Sequence, residues 1–318
     1  MKKISIVLAV AALVVVGIGI GLYIPKLYET NEAIPPQNTQ TQTIPNQNNN
    51  PTSTPKDENP VVEPQTQTPE NKEQTVIGKS VEGRDITAYH FGTGEKEILF
   101  VGGIHGGYAW NTALLAYQVM DYLKANPSVI PGSIKVTVIP VLNPDGLNKV
   151  VSVTGRFSAT DVSSSPAAKV SGRFNDHTVD INRNFDCGWK ATGTWQNKTV
   201  SGGTAPFSEP ESAAIRDYAQ AHKLTAVIAW YSSGGGVYSS SCGNGILPET
   251  QTITDIYAKA SGYQAYKNFE SYQVSGDMTD WFAKNSVPAI GVLLSTDNNV
   301  EWDKNVAGIK ALFEHYAQ

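Results

Sequence analysis

Cysteine is scarce in this chain: only Cys187 and Cys242 occur among 318 residues. Two are too few for a disulfide-built scaffold or a cysteine metal cluster, and they leave room for one bridge in an oxidising compartment. Charge is thin as well, at 17% of residues with a net charge of −5. No basic stripe runs through the sequence, so nothing is available to neutralise phosphates, and nucleic acid is excluded as a partner class. What is present is 40% hydrophobic residues, enough for one folded core diluted by a polar segment.

One long apolar run stands out. Lys2 and Lys3 precede an unbroken stretch from Ile4 to Ile24 in which Ser5 is the only polar side chain. About 20 apolar residues suffice to cross a bilayer as a helix. A cleaved signal has a shorter apolar core of roughly 7–15 residues and a small-x-small cut site, whereas this run ends in Gly21-Leu22-Tyr23-Ile24-Pro25. Residues 1–24 therefore read as a membrane anchor, with a removed signal as the alternative. The two lysines favour a cytoplasmic N-terminus. The chain is then expected to be a single-pass protein of the cell membrane with its domain outside, or a secreted protein if the run is cut. Residues 25–73 are rich in Pro, Gln, Asn and Thr without hydrophobic periodicity. Such a segment buries too little apolar surface to offset its ordering entropy and reads as a disordered linker.

From Gln74 to Gln318 the pattern is globular. Glu97–Val101 is a short apolar run stopped by Gly102-Gly103, as a buried strand requires. Ala113–Lys124 has helical apolar spacing, and Ile134–Leu142 is a β-branched run ending at the turn signal Asn143-Pro144-Asp145-Gly146. Ser208 with Glu211 three residues on, and Pro210 between them, predicts a capping box opening a helix to about His222. Leu224–Trp230 and Pro288–Leu294 are further strand candidates, and Val306–Tyr316 a final helix. Alternating strands and helices predict an α/β fold with a mixed, mostly parallel central sheet and helices on both faces. Ligands in such folds sit at the carboxyl ends of the strands, so the loops there carry the information.

Those loops read Gly102-Gly103-Ile104-His105-Gly106-Gly107-Tyr108-Ala109-Trp110, then Val179-Asp180-Ile181-Asn182-Arg183-Asn184-Phe185, then Pro206-Phe207-Ser208-Glu209-Pro210-Glu211, and finally Tyr272-Gln273-Val274-Ser275-Gly276-Asp277-Met278-Thr279-Asp280-Trp281. In this order, with Asn143-Pro144-Asp145-Gly146, they resemble the carboxypeptidase A-like zinc metallopeptidases over roughly Thr75 to His315. The resemblance implies one zinc held by two His and a Glu, a Glu general base, an Asn-Arg clamp on the substrate's free carboxylate, a mobile Tyr that closes over it, and an Arg beside the oxyanion. His105 matches the first zinc ligand and Asp180 the carboxylate that orients it. Asn182 and Arg183 match the clamp, which suits a peptide C-terminus because an Arg can grip a carboxylate with two donors. Tyr272 matches the closing Tyr. Arg173 is the oxyanion candidate, with Arg156 as its competitor. Thr279 falls where the family lines its side-chain pocket, and a neutral Thr there predicts no preference for basic residues.

Three positions depart from the family. The first-loop Glu should stand at 108 or 109, and these are Tyr108 and Ala109. The second zinc His should stand at 231, where Tyr231 is found. The general base should stand at 293, where Leu293 is found. His177, close in sequence to Asp180, and Glu270, two residues before Tyr272, are the candidates for replacements. A lone His holds zinc poorly, because zinc sites use three or four protein ligands, and a Leu moves no proton. Zinc, the family's cofactor, is therefore expected to be weakly held or absent. These losses imply a tethered, extracytoplasmic, catalytically impaired domain that binds peptide or protein C-termini or surface ligands. An active metallocarboxypeptidase with a rearranged zinc site is the alternative, and an adhesive ectodomain with a vestigial cleft is a third. Cys187 and Cys242 lie in loops that the resemblance brings to one end of the sheet, so a Cys187–Cys242 disulfide is expected.

Overall fold

The computed structural model describes residues 73–318. The expected anchor over 1–24, and the expected linker up to residue 72, lie outside the described residues. The chain opens with a hairpin, β1 (Gln74–Lys79) and β2 (Asp85–Phe91), followed by β3 (Lys96–Val101), α1 (Trp110–Ala125), β4 (Ile134–Ile139), α2 (Pro144–Val151) and α3 (Pro166–Ser171). A separate hairpin, β5 (Thr192–Trp195) and β6 (Lys198–Ser201), precedes α4 (Pro210–Ala221) and β7 (Leu224–Ser232). Then come β8 (Gly236–Ser239), α5 (Pro248–Ser261), β9 (Gln264–Tyr266), α6 (Met278–Lys284), β10 (Ala289–Leu294) and α7 (Trp302–Tyr316).

Eight strands form one sheet in the order β1-β2-β4-β3-β7-β10-β8-β9. The centre, β4-β3-β7-β10, is parallel, and antiparallel pairings occur at β1-β2, β2-β4 and β10-β8. The expected mixed, mostly parallel α/β fold is thus observed. Side chains alternate between the two faces with the period of two that a strand imposes. Ile98, Phe100, Ala226, Ile228, Trp230, Ile290 and Val292 pack on one side with α1, α5 and α7. Leu99, Val101, Val227, Ala229, Tyr231 and Ala289 pack on the other with α4 and α6. Both faces are covered, which is why these strands read as continuous apolar runs.

Two local expectations are corrected. Asn143-Pro144-Asp145-Gly146 is the start of α2 and not a free turn: the Asn143 side chain accepts from the Gly146 N–H, and Pro144 fills the first helical position. A capped helix start and a β-turn share this chemistry, and here packing of α2 beneath the His105 loop selects the helix. The capping box at Ser208 does not form. Helix α4 begins at Pro210, and the Ser208 hydroxyl donates to the Glu209 carboxylate. Its first turn is held from outside, because Asn184 Oδ1 accepts from the Glu209 N–H at 3.0 Å and from the Ser212 hydroxyl at 2.6 Å. Glu211 is buried and takes Asn175 Nδ2 instead.

Candidate functional site

A cleft of about 750 Å³ opens at the carboxyl ends of β3, β7 and β10, where the crossovers of a parallel sheet leave room for a ligand. The loop leaving β3 turns sharply at Gly103, whose φ of +61° is a left-handed conformation that favours glycine. This turn places His105 and Tyr108 at the cleft. Strand β7 delivers Tyr231, and its parallel neighbour β10 places Leu293 in register with it. The Asn175–Arg183 segment supplies Arg173's partner Asp180 and then Asn182 and Arg183. The loop before α6 supplies Tyr272, Asp277, Thr279 and Asp280.

The clamp residues form one network. Asp180 is fully buried and accepts from Arg173 Nε at 3.0 Å and Nη2 at 2.8 Å. Burial opposes ionisation of Asp180, but Arg173, His105 and Arg183 together outweigh it and hold the carboxyl below its usual range. Arg183, 2% exposed, donates Nη1 to the Gln273 carbonyl at 3.3 Å and Nη2 to the Thr194 carbonyl at 2.9 Å. Each of these nitrogens carries a second hydrogen for a ligand. The guanidinium lies 5.4 Å from the centroid of the Tyr272 ring. Asn182 donates Nδ2 to Asp277 at 2.7 Å, and its Oδ1 accepts from the Met278 N–H at 3.1 Å. Gly276 has φ +66° and passes so close to the Arg183 carbonyl that a side chain there would collide with it.

The residues at the family's metal and base positions are of another kind, although they touch this network. Both ring nitrogens of buried His105 lack a hydrogen-bond partner among the described residues, and Nε2 stands 3.7 Å from Asp180 Oδ1. Burial, with Arg173 nearby, lowers its pKa to about 3, so the ring is neutral. The Tyr231 ring is 5.7 Å from that of His105 and its hydroxyl donates to Asn182 Oδ1 at 3.4 Å. Burial raises the Tyr231 pKa well above its ordinary value, so it stays a neutral phenol. Tyr108 packs edge-on against Trp195 at 4.9 Å and accepts from Gln196 Nε2. Ala109 is 1% exposed and belongs to the core. The position that faces the cleft in the His105 loop is therefore 108.

The other candidates separate cleanly. Arg173 lines the cleft, beneath Trp195 at 4.7 Å, whereas Arg156 pairs with Asp121 and lies over Tyr117. His177 bonds Glu209 at 2.8 Å, and neither it nor Glu270 lines the cleft. Thr279 lines the pocket, but its hydroxyl donates to Asp277 at 2.7 Å. Asp277 and Asp280 line the same pocket, so two carboxyl groups stand beside Thr279, whose neutral side chain alone predicted no preference for basic residues. Burial, with Asp277 beside it, pushes the Asp280 carboxyl up to about 7. Cys187 and Cys242 are joined, with their Cα atoms 5.9 Å apart. Sequence reasoning missed Trp195, Asp277, Tyr238 and Phe269. Trp195 sits in a hairpin with no motif of its own. Asp277 was visible inside the quoted loop but its orientation was not.

A sequence profile described as zinc carboxypeptidase matches residues 61–302, and the chain belongs to that family. It is 27% identical over 233 residues to gamma-D-glutamyl-L-diamino acid endopeptidase 1 of Lysinibacillus sphaericus, a match covering 66% of this chain and 57% of that one. It is 28% identical over 233 residues to a zinc carboxypeptidase of Simulium vittatum, covering 67% of this chain and 74% of that one. The structure of thrombin activatable fibrinolysis inhibitor shares the fold with a TM-score of 0.61 at 17% identity, over 77% of this chain and 69% of that one. The chain thus spans little more than half the length of the endopeptidase.

The family's zinc does not fit the residues found here. His105, with two unpartnered nitrogens, suits one ligand. Beside it stand the Asp180 carboxylate, already held by Arg173, and the neutral phenol of Tyr231, while Tyr108 and Leu293 line the same cleft; no group of three or more His, Cys, Asp or Glu able to hold a metal occurs among the described residues. Three protein donors are the minimum of a catalytic zinc site, so no catalytic step is derived through the metal.

Proposed function

We propose that this domain binds peptides by a free C-terminal carboxylate without hydrolysing them. The observation that carries this reading is the buried Arg183 guanidinium, set beside Asn182 and under the half-exposed Tyr272, in a cleft that also holds Tyr108, Tyr231 and Leu293. A guanidinium out of water is suited to a carboxylate, since charged partners there interact strongly. The carboxyl groups of Asp277 and Asp280 favour a terminal residue with a cationic side chain. The relative whose name specifies a diamino acid is consistent with that choice. The disulfide supports an extracytoplasmic location, and the 1–24 run supports tethering to the cell membrane; secretion is the alternative.

The test is calorimetric titration of the protein with a lysine-terminated pentapeptide as the free acid and as the amide. Loss of one desolvated Arg–carboxylate pair, about 2–5 kcal/mol, is expected to weaken the amide by at least about 30-fold. Equal binding of acid and amide would falsify the clamp. An active metallocarboxypeptidase with rearranged ligands is favoured by one observation, the two unpartnered nitrogens of buried His105. Chelator-sensitive release of the terminal residue from the same peptide acid would establish that reading in place of this one.

A further inference from the structure

We infer that Tyr108, which stands where the family resemblance places a metal ligand, is a positioning residue for the carboxylate clamp: its ring holds the β5–β6 hairpin against Arg183. This inference rests on the clamp reading of the cleft and deepens it. The hairpin lies outside the eight-stranded sheet, and its strands pair in a small sheet of their own with Trp195 opposite Lys198. A lone two-stranded hairpin is marginally stable in water, so its place is set by what it packs on. Its base is tied to the clamp segment, where the Asp180 N–H donates to the Ser201 carbonyl at 3.0 Å and Asn184 Nδ2 to the Gly202 carbonyl at 2.6 Å. Near its tip the tie is aromatic. Trp195 is 4% exposed. The Tyr108 ring meets it edge-on at 4.9 Å, the Phe174 ring edge-on at 6.0 Å, and the Arg173 guanidinium lies over it at 4.7 Å.

Thr194 precedes Trp195 directly, and its carbonyl receives Arg183 Nη2 at 2.9 Å. It is one of two backbone acceptors that aim the guanidinium; the other, the Gln273 carbonyl, stands farther off at 3.3 Å. The contact of Tyr108 with Trp195 therefore bears on Arg183 through a single peptide unit. Without the Tyr108 ring the hairpin tip loses an aromatic neighbour, the Thr194 carbonyl is less firmly placed, and Arg183 keeps its charge but not its aim. The ring does this rather than the hydroxyl. Among the described residues the hydroxyl bonds only Gln196 Nε2, at 3.0 Å and in an exposed place, where water is an equal partner. A carboxylate at 108 would offer Trp195 no aromatic edge. One side chain cannot both reach a metal beside His105 and brace Trp195, and in this chain position 108 serves the clamp.

The experiment uses the full-length chain with a lysine-terminated pentapeptide as free acid and as amide. Both Kd values are read by calorimetry in the parent, Tyr108→Phe, Tyr108→Ala and Trp195→Ala, and hydrogen exchange of the backbone amides over 192–201 is followed without ligand. In each Ala variant the preference for acid over amide should fall by about 2- to 10-fold, the loss lying in the acid alone. Tyr108→Phe should keep the parent's preference. Exchange over 192–201 should quicken in Tyr108→Ala and not in Tyr108→Phe, with the central strands unchanged, which separates a loosened hairpin from a destabilised domain. Adding Trp195→Ala to Tyr108→Ala should cost little more, because the two rings act through one contact. Parent-like preference in Tyr108→Ala, equal weakening of acid and amide, or a Tyr108→Phe variant as impaired as Tyr108→Ala would overturn the inference. The two readings fail differently. A parent that binds acid and amide alike would sink the clamp and the positioning role with it, whereas full acid preference in Tyr108→Ala would sink the positioning role alone.

Discussion

Two sets of residues in the cleft grow from neighbouring strand ends, touch one another and carry different chemistry. On one side, Asp180, Arg173, Asn182 and Arg183 are buried and hydrogen-bonded through one connected set of contacts. On the other, the His105 ring has no hydrogen-bond partner among the described residues, and Tyr231 and Leu293 lie side by side on β7 and β10 as neutral groups. The network side is costly to alter, because removing one member strands a buried charge. The neutral side tolerates change, since replacing polar partners together with apolar groups leaves no unsatisfied charge behind.

The largest effect is expected from rebuilding the neutral set. The triple variant Tyr108→Glu, Tyr231→His, Leu293→Glu should bind zinc at least ~10³-fold more tightly than the parent, because three ligands replace one. Metal content and competition with a chelator measure this. Placing the first Glu at 109 instead should give no such gain, since Ala109 is buried in the core. A triple variant no better than the parent would show that backbone placement, and not side-chain identity, separates the two sets.

Next in size is the cost of breaking the network. Arg173→Met leaves the Asp180 carboxylate buried and without its main partner, and should destabilise the domain by about 3–5 kcal/mol in denaturant titration. A loss under about 1 kcal/mol would mean that Arg183 and the backbone suffice to hold Asp180. The closing aromatic contributes less. Tyr272→Leu should weaken binding of the peptide acid by roughly 3- to 30-fold, from a cation–π contact of about 0.5–2 kcal/mol. An unchanged Kd would remove Tyr272 from the clamp.

The smallest effect concerns pH. Asp280 titrates near 7 in the folded protein against 3.8 in the unfolded chain. The folded state therefore holds the extra proton between these values, and the stability contributed by this group is full below about 3.8 and lost as pH rises through 7. Ligand preference moves the other way. Raising the pH from 6 to 8 ionises Asp280 beside Asp277, so the preference for a C-terminal Lys over norleucine should grow, by up to ~10-fold. A preference that stays flat over this range, or that survives Asp280→Asn, would place the cationic contact elsewhere.

Legibility in the sequence followed burial. Strands β3, β4, β7 and β10 are covered on both faces, so their apolar runs announce them. Strands β1, β2, β8 and β9 are short and mix polar and apolar residues, with only β1 and β9 at the sheet's edges, and carried no such signal. Helix α5 was hidden for a related reason. Its buried face is Thr250, Ile253, Thr254, Tyr257, Ala258 and Ser261, half of it polar, so the hydrophobic period is diluted. The hydroxyl groups of that face are satisfied within the fold: Thr254 Oγ1 donates to the Thr250 carbonyl and meets the Ser239 hydroxyl at 2.8 Å.

The sequence by itself determined the family and the mixed, mostly parallel sheet, and it supplied Asn182, Arg183 and Tyr272 as the expected clamp, because each is a matter of residue type and order. Only the tertiary structure decided that position 108 and not 109 faces the cleft, that Arg173 and not Arg156 joins Asp180, and that Asp277, Asp280, Tyr238 and Phe269 line the same cleft as Arg183. Each of these depends on where loops from distant parts of the chain converge. Residue types carry chemistry along the chain, and only packing fixes which side chains share a cavity and which way they point.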